Sequence, residues 1–295
     1  MKTKRPRSKG KNRELRFRDL AELALQEKQN HGIKASSLRA DRVRLAVLDP
    51  FVGNLKIAKF KSRTFSHALT DIAAGRQLQP GTFNRYHALV SSVCAYGVRE
   101  EFLEVNPMAD GRVQRRPEMR IHVRYLERHE QSQLLAAIKR ACPAKVDEVE
   151  LAILTGMRRG EQFHARWSDW KRKESVLYVT GKTGPREVRI NRAARRCLSR
   201  MRRRTRTEQV FITPERNVSA VDRRRWFERA VKRAALASRF RWHDLRHTFC
   251  SRLVAAGVPL LEVQQLAGHA SYATTLRYAH LSPDHRRKAV EKVRF

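Results

Sequence analysis

Apolar residues recur at helical spacing along almost the whole chain, and this periodicity restricts the fold more than any other feature. Phe17, Leu20, Leu23, Ala24 and Leu25 line one helical face, and the same pattern runs through 37–48, 66–74 and 82–96. Ser36, ahead of the second segment, and Gly81-Thr82, following Pro80 at the fourth, read as helix starts. A helix with one apolar stripe is stable only when that stripe is covered, so the first third of the chain is expected to form a helical bundle.

The pattern stops at Asn106-Pro107. The stretch that follows contains Gly111, Arg112, Arg115, Arg116, Pro117 and Arg120 with few apolar residues, and reads as an extended basic linker. Helical spacing returns from Tyr125-Leu126 through 127–138 and 146–154, ending at Thr155-Gly156. Two short strand-like runs, 176–180 and 187–190, then flank Gly181-Lys182-Thr183-Gly184-Pro185-Arg186 and predict a hairpin, after which helices resume near Arg192. The expected architecture is mainly α: a flexible basic arm over 1–13, a helical bundle over 14–108, a linker over 109–122, and a mostly helical lobe over 123–295 carrying a small antiparallel sheet.

Charge narrows the function. The 295 residues include 64 Lys and Arg against 29 Asp and Glu, a formal net charge of +35, and 47 of the bases are Arg. A hydrophobic fraction of 41% is still enough to build cores, so this is not a disordered basic tail. Both halves are basic, and a field of one sign over the whole molecule selects a polyanion, of which nucleic acid is the densest in a cell. No run of about 18 apolar residues appears, and the basic start MKTKRPRSKGKNR leads into no apolar stretch, so neither a membrane span nor secretion is indicated. A cytoplasmic, nucleoid-associated protein is expected. Cys94, Cys142, Cys197 and Cys250 are scattered without a paired spacing, which argues against a zinc ribbon or a disulfide framework. The sequence offers no carboxylate cluster for magnesium and no P-loop, so no cofactor or metal is expected.

Four separated segments of the second lobe carry residue types suited to holding a phosphate under attack: Thr155-Gly156-Met157-Arg158-Arg159-Gly160-Glu161, Gly181-Lys182-Thr183-Gly184, His243-Asp244-Leu245-Arg246-His247, and Gly268-His269 through Thr274-Thr275-Leu276-Arg277-Tyr278-Ala279-His280. Singly each is weak, because an arginine among 47 is most often a solvated surface group. His243 and Arg246, three apart, share a helix face and could grip one anion.

Together, and in this order, the four segments resemble the tyrosine recombinase family, the phage-type integrases. The resemblance runs from about Arg124 to Ser282; the first lobe is similar, less specifically, to that family's helical core-binding domain of SAM-like fold, with Thr82, Asn84-Arg85 and Asn106-Pro107 in the matching places. It implies that 123–295 is a catalytic domain of the DNA breaking-rejoining fold. Carried over by position, it makes Tyr278 the nucleophile, Arg158 and Arg246 the phosphate-clamping arginines, Lys182 the hairpin general acid, and His243 and His269 the two histidines. The chemistry agrees: a tyrosine with a pKa near about 10 must lose its proton as it attacks, and pre-placed guanidinium groups stabilise the charge that develops on the phosphate.

The division of labour between His243 and His269 stays open, as does the choice between neighbours: Arg159 beside Arg158, His247 beside Arg246, and Tyr272 near Tyr278. Glu161 could orient an arginine or be an ordinary helical charge. Arg192, Arg195, Arg196, Arg200, Arg202, Arg203, Arg204 and Arg206, and also Arg223, Arg224 and Arg225, read equally as backbone contacts to DNA or as solvated faces.

The resemblance further implies double-stranded DNA as partner, a homotetramer assembled on it through the tail after Tyr278, and possible accessory DNA-bending proteins. The expected function is site-specific integration or excision of a mobile element through a 3′-phosphotyrosyl intermediate. The alternatives are an Xer-like resolvase of chromosome or plasmid dimers, a non-catalytic DNA-binding protein retaining the fold, and a type IB topoisomerase. With about a dozen residues ahead of the first helix, no separate arm-type DNA-binding domain is expected.

Overall fold

The computed structural model describes residues 14–118, 123–181, 184–211 and 220–283. The basic arm over 1–13, Lys182, and the tail positions Val290, Val293 and Phe295 lie outside the described residues, as do the side chains of Arg223 and Arg224. The chain divides into two compact units, Met1–Arg120 and Ile121–Phe295.

Four helices build the first unit: α1 (Phe17–Asn30), α2 (Ala35–Leu48), α3 (Ser62–Gly75) and α4 (Pro80–Arg99). Their buried faces follow the apolar spacing, with Phe17, Leu20 and Ala24 of α1 meeting Phe65, Leu69 and Ile72 of α3 and Leu89, Val90 and Val93 of α4 in one core. Ser36 does not open α2: Lys34 occupies the N-cap and Ser36 lies inside the helix. At α1 the work is done by an acid in the first turn, where Asp19 accepts the Arg16 N–H at 2.9 Å.

The stretch read as a linker is not free where it is described. Val113 is buried in the first unit's core, as is Met108 just ahead of the stretch. The Asn84 amide both donates to the Arg116 carbonyl at 2.9 Å and accepts the Arg116 N–H at 2.8 Å. Asn84 thus pairs with extended backbone as a neighbouring strand would, and Arg116 lies over the Phe83 ring at 4.1 Å. Sparse apolar residues concealed this packing, because two well-placed side chains and one amide suffice for it.

The second unit is helical around a small sheet: α5 (Arg128–Ala141), α6 (Val146–Thr155), α7 (Arg159–His164), β1 (Trp170–Lys171), β2 (Val176–Gly181), β3 (Gly184–Arg189), α8 (Arg192–Arg204), α9 (Ala220–Arg233), α10 (Trp242–Ala255), α11 (Leu260–Ala267) and α12 (Tyr272–Thr275), with a 3₁₀ helix over Leu276–Leu281. The sheet is antiparallel in the order β1-β2-β3, and β2 meets β3 in register from Val176↔Arg189 to Gly181↔Gly184. The two predicted strands are present; the two-residue β1 is too short to leave a periodic signal. α6 and α10 are central, with Val149, Ala152 and Leu245 in one core, Leu151 in a second against β2, β3 and α8, and Cys250, Val254 and Tyr278 in a third.

Candidate active site

Two helices end in the same way, and their ends frame the site. α6 closes on Gly156 at φ +59°, in the left-handed region, where an added Cβ would fall 2.2 Å from Phe249 Cδ1. α11 closes on Gly268 at φ +66°, where a Cβ would fall 2.6 Å from Arg186 Cδ. Both carbonyls, freed by the end of their helix, accept an arginine: Gly156 from Arg246 Nη1 at 2.9 Å, and Gly268 from Arg158 Nη2. A helix C-terminus carries partial negative charge, so these are favourable anchors for guanidinium groups.

Arg158 sits one residue ahead of α7, whose first turn brings Glu161 back onto it. Glu161 accepts the Arg158 N–H at 2.7 Å and Arg158 Nη1 at 2.8 Å. Arg186, on β3, grips the same carboxylate through Nε at 3.2 Å and Nη2 at 2.9 Å, and donates Nη1 to the Leu266 carbonyl at 3.0 Å. Burial alone would raise the Glu161 pKa, but Arg186 and Arg158 outweigh it and hold the carboxyl below its ordinary range. Glu161 is therefore an orienting group shared by two arginines. Arg186 escaped the sequence reading, because nothing in a 47-arginine chain marks it out.

Arg246 is only 3% exposed, and its Nη2 is buried with no hydrogen-bond partner among the described residues. Burial and the nearby Arg158 charge lower its pKa to about 10, so it remains cationic at neutral pH. A buried charged donor left unpaired costs stability unless something negative completes it. An unpartnered donor on Arg246 within reach of the Arg158 charge is an arrangement suited to an anion.

Tyr278, on the 3₁₀ helix after α12, is 1% exposed. Its hydroxyl is hydrogen-bonded to His247 Nδ1 at 2.5 Å, and its ring lies parallel to that of His269 with centroids 6.2 Å apart. His269 is fixed by a 2.9 Å hydrogen bond between its Nδ1 and buried Thr275. Burial first, and then the Cys250 thiol beside it, raise the Tyr278 pKa, so the phenol is protonated. Burial and the charges of Arg246 and Arg158 push His269 down to about 3, and burial with His243 and Arg246 pushes His247 down to about 4. His243, exposed one turn before His247, meets it edge-on at 4.9 Å, and the surrounding protein and Arg246 lower its pKa as well.

Of the sequence-predicted residues, Arg158, Arg246, His269 and Tyr278 come together, with His243 at the margin. Two of the three neighbours left open separate, Tyr272 being exposed at the start of α12 and Arg159 lying over the Phe163 ring at 5.9 Å, whereas His247 lies on the Tyr278 hydroxyl. In the basic helix α8, Arg200 and Arg204 pair with Asp147, although Arg204 is exposed, as are Arg202 and Arg203. Asp147, Glu150 and Cys197 place possible metal-ligand atoms within 4.8 Å of one another, a group that sequence separation concealed, but Arg200 and Arg204 already neutralise its carboxylates.

The sequence pattern of the phage integrase family matches residues 124–285, more than half of the chain and all of this site among the described residues. The chain belongs to the phage integrase family. Within that family it is 32% identical to the integrase of Salmonella phage P22 over 182 residues, which span 55% of this chain but 45% of the P22 protein. It is 28% identical to the tyrosine recombinase XerC of Anoxybacillus flavithermus over 204 residues, 64% of this chain and 68% of that one. Its fold is that of the Tn1549 transposon integrase solved with circular-intermediate DNA (TM-score 0.79, 18% identity, 92% of this chain and 98% of the other). It is also that of a lambda integrase tetramer solved on a Holliday junction (TM-score 0.76, 19% identity, 90% of this chain and 80% of the other). As an integrase-family fold it is mainly helical with one small antiparallel sheet. Among the described residues, no helix is long and apolar enough to cross a membrane.

Proposed function

We propose that this chain is a site-specific DNA recombinase that cleaves and rejoins duplex DNA through a 3′-phosphotyrosyl intermediate, most directly to integrate or excise a mobile element. The observation that carries this reading is the unpartnered Arg246 Nη2, buried in the same site as Arg158, His269 and a protonated tyrosine. A scissile phosphate supplies the missing negative partner. Arg158 and Arg246 hold its non-bridging oxygens, and because they are anchored beforehand on Gly268 and Gly156 they stabilise the pentacoordinate state without reorganising.

In this scheme the Tyr278 oxygen attacks phosphorus, the bond to the 5′ oxygen breaks, and Lys182 protonates that leaving oxygen. The bond energy is kept in the phosphotyrosine, so rejoining needs no nucleotide. His269, locked by Thr275, donates to a phosphate oxygen, and His243 orients the phosphate from the edge of the site. The exposed bases supply the salt-sensitive, sequence-independent hold on the backbone. Double-stranded DNA is thus the partner, and the DNA-bound dimer and tetramer of the lambda integrase structures support assembly of a homotetramer on it. Resolution of chromosome or plasmid dimers is the second reading, favoured by the likeness to XerC.

The test is a nicked suicide duplex carrying the junction sequences that flank the gene, incubated with the protein in chelator. Wild type should give a covalent protein–DNA adduct and Tyr278→Phe none. Absence of the adduct in wild type, or its persistence in the variant, overturns the proposal.

A further inference from the structure

We infer that His247, and not His243, is the catalytic base that takes the proton from Tyr278 as its oxygen attacks. The inference rests on the recombinase reading above and adds a residue to its chemistry. Two side chains lie against the Tyr278 hydroxyl: His247, with Nδ1 at 2.5 Å, and Cys250. Burial keeps the Cys250 thiol protonated, so it offers no base. His243 is exposed, and its ring packs nearly perpendicular to that of His247 with centroids 4.9 Å apart, whereas the rings that meet the phenol are those of His247 and His269. Both histidines belong to α10, one turn apart, and the direction from which the 3₁₀ helix delivers Tyr278 decides between them.

The groups that face His247 are His243 and Arg246 on α10, Arg241 at its N-cap, Arg277 beside Tyr278, and His269 at the end of α11. None of these is an acid, so the imidazole is neutral at neutral pH and its lone pair is free to receive a proton. A neutral base in a ring of three arginines and two neutral histidines is weak in the resting site. A phosphate seated between Arg158 and Arg246 brings negative charge into that ring, while the phenol becomes acidic as its oxygen bonds to phosphorus, so both changes drive the transfer at the moment of attack. The step balances: the Oη–P bond forms, the P–O5′ bond breaks, the phenolic proton passes to His247 Nδ1, and the 5′ oxygen takes a proton from Lys182. On religation His247 returns the proton to the departing tyrosine oxygen.

The discriminating variant is His247→Asn, whose amide oxygen can stand where Nδ1 stands and hold the hydroxyl but cannot accept a proton. In single-turnover reactions on the suicide duplex, adduct formation should slow by about a hundredfold or more while DNA affinity is unchanged. Replacing Tyr278 by 2,3-difluorotyrosine, a more acidic phenol, should restore much of the rate in His247→Asn and not in His243→Asn. The inference is overturned if His247→Asn reacts within about threefold of wild type, which would leave His247 a mere anchor. It is equally overturned if the fluorinated phenol rescues His243→Asn instead, or rescues neither. Thermal unfolding of His247→Asn close to that of wild type excludes misfolding as the cause of a slow rate. A wild-type protein that forms no adduct would sink the recombinase reading itself, a result distinct from all of these.

Discussion

In the first unit the helices meet through Phe17, Leu20, Phe65, Leu69 and Val90, and what is buried is apolar almost throughout. In the second, the same helical packing encloses Glu161, Gln162, Asp244, Arg246, Thr248, His269 and Thr275. Each of these polar groups must be matched by a partner, so the second unit gives up ordinary packing to hold charges, which under the proposed function a phosphate completes. The difference separates two kinds of precision. A bundle of apolar stripes tolerates substitution of similar volume, whereas the network around Glu161 fixes two arginines through hydrogen bonds that no isosteric swap preserves.

The largest expected contrast comes from one truncation in each unit. Glu161→Ala leaves Arg158 and Arg186 facing each other without their shared carboxylate, at a cost of about 3 kcal/mol, since removing one partner of a buried pair strands the other charge. It should also slow adduct formation by at least about tenfold even where the protein is folded, because Arg158 loses its orientation. Leu20→Ala should cost a comparable 2–5 kcal/mol or so through the cavity it opens, yet leave the single-turnover rate of the folded fraction unchanged. Urea unfolding with adduct kinetics on the same preparations checks both. Equal chemical rates for the two variants would erase the contrast.

Acid should separate the units next. His247 and His269 have folded pKa values of about 4 and about 3, below the unfolded value, so between these limits the unfolded chain binds more protons than the folded one. Their contribution is complete above the unfolded histidine pKa of about 6.5 and is lost as pH falls through the folded values. Glu161, also depressed, acts in the same direction lower down, below the unfolded carboxylate range. Hydrogen exchange on the full chain should therefore show α10 and the 3₁₀ helix loosening between about pH 6.5 and 4 before α1 and α4 do. Simultaneous loosening would contradict the assignment.

The smallest effect concerns the grip on DNA. Arg203 is exposed, whereas Arg204 is already paired with Asp147 at 2.7 Å. If Arg203 touches a phosphate, Arg203→Ala should reduce the salt slope of DNA binding by about one. Arg204→Ala should change it by less, and cost at most about 1 kcal/mol of stability, because Arg204 is half exposed and Asp147 keeps its pair with Arg200.

The sequence carried the periodic parts of this structure, and the reasons are local. Apolar residues three and four apart specify a helix whatever they pack against, and the short β-branched and aromatic run over 176–180 specifies a strand. What it mistook depended on context: Ser36 can cap a helix but lies inside one, and the stretch around Arg116 looks free until Asn84 is seen to bind both its N–H and its carbonyl. The site divided in the same way. The residue types that hold a phosphate were legible as motifs, and so was the family. Arg186 was not, since it lies 25 residues from Glu161 and 80 from Leu266 along the chain.

By itself, then, the sequence determined a basic, mainly helical protein with two lobes, and supplied the arginines, histidines and tyrosine of the proposed phosphate-handling set. Which histidine meets the tyrosine, which arginine locks the clamp and which surface bases are already neutralised were decided by tertiary structure alone. Periodicity acts between residues a few positions apart, whereas a hydrogen bond needs two particular atoms within about 3 Å and in line, and for residues on different elements only the packing of helix ends against the sheet brings those atoms together.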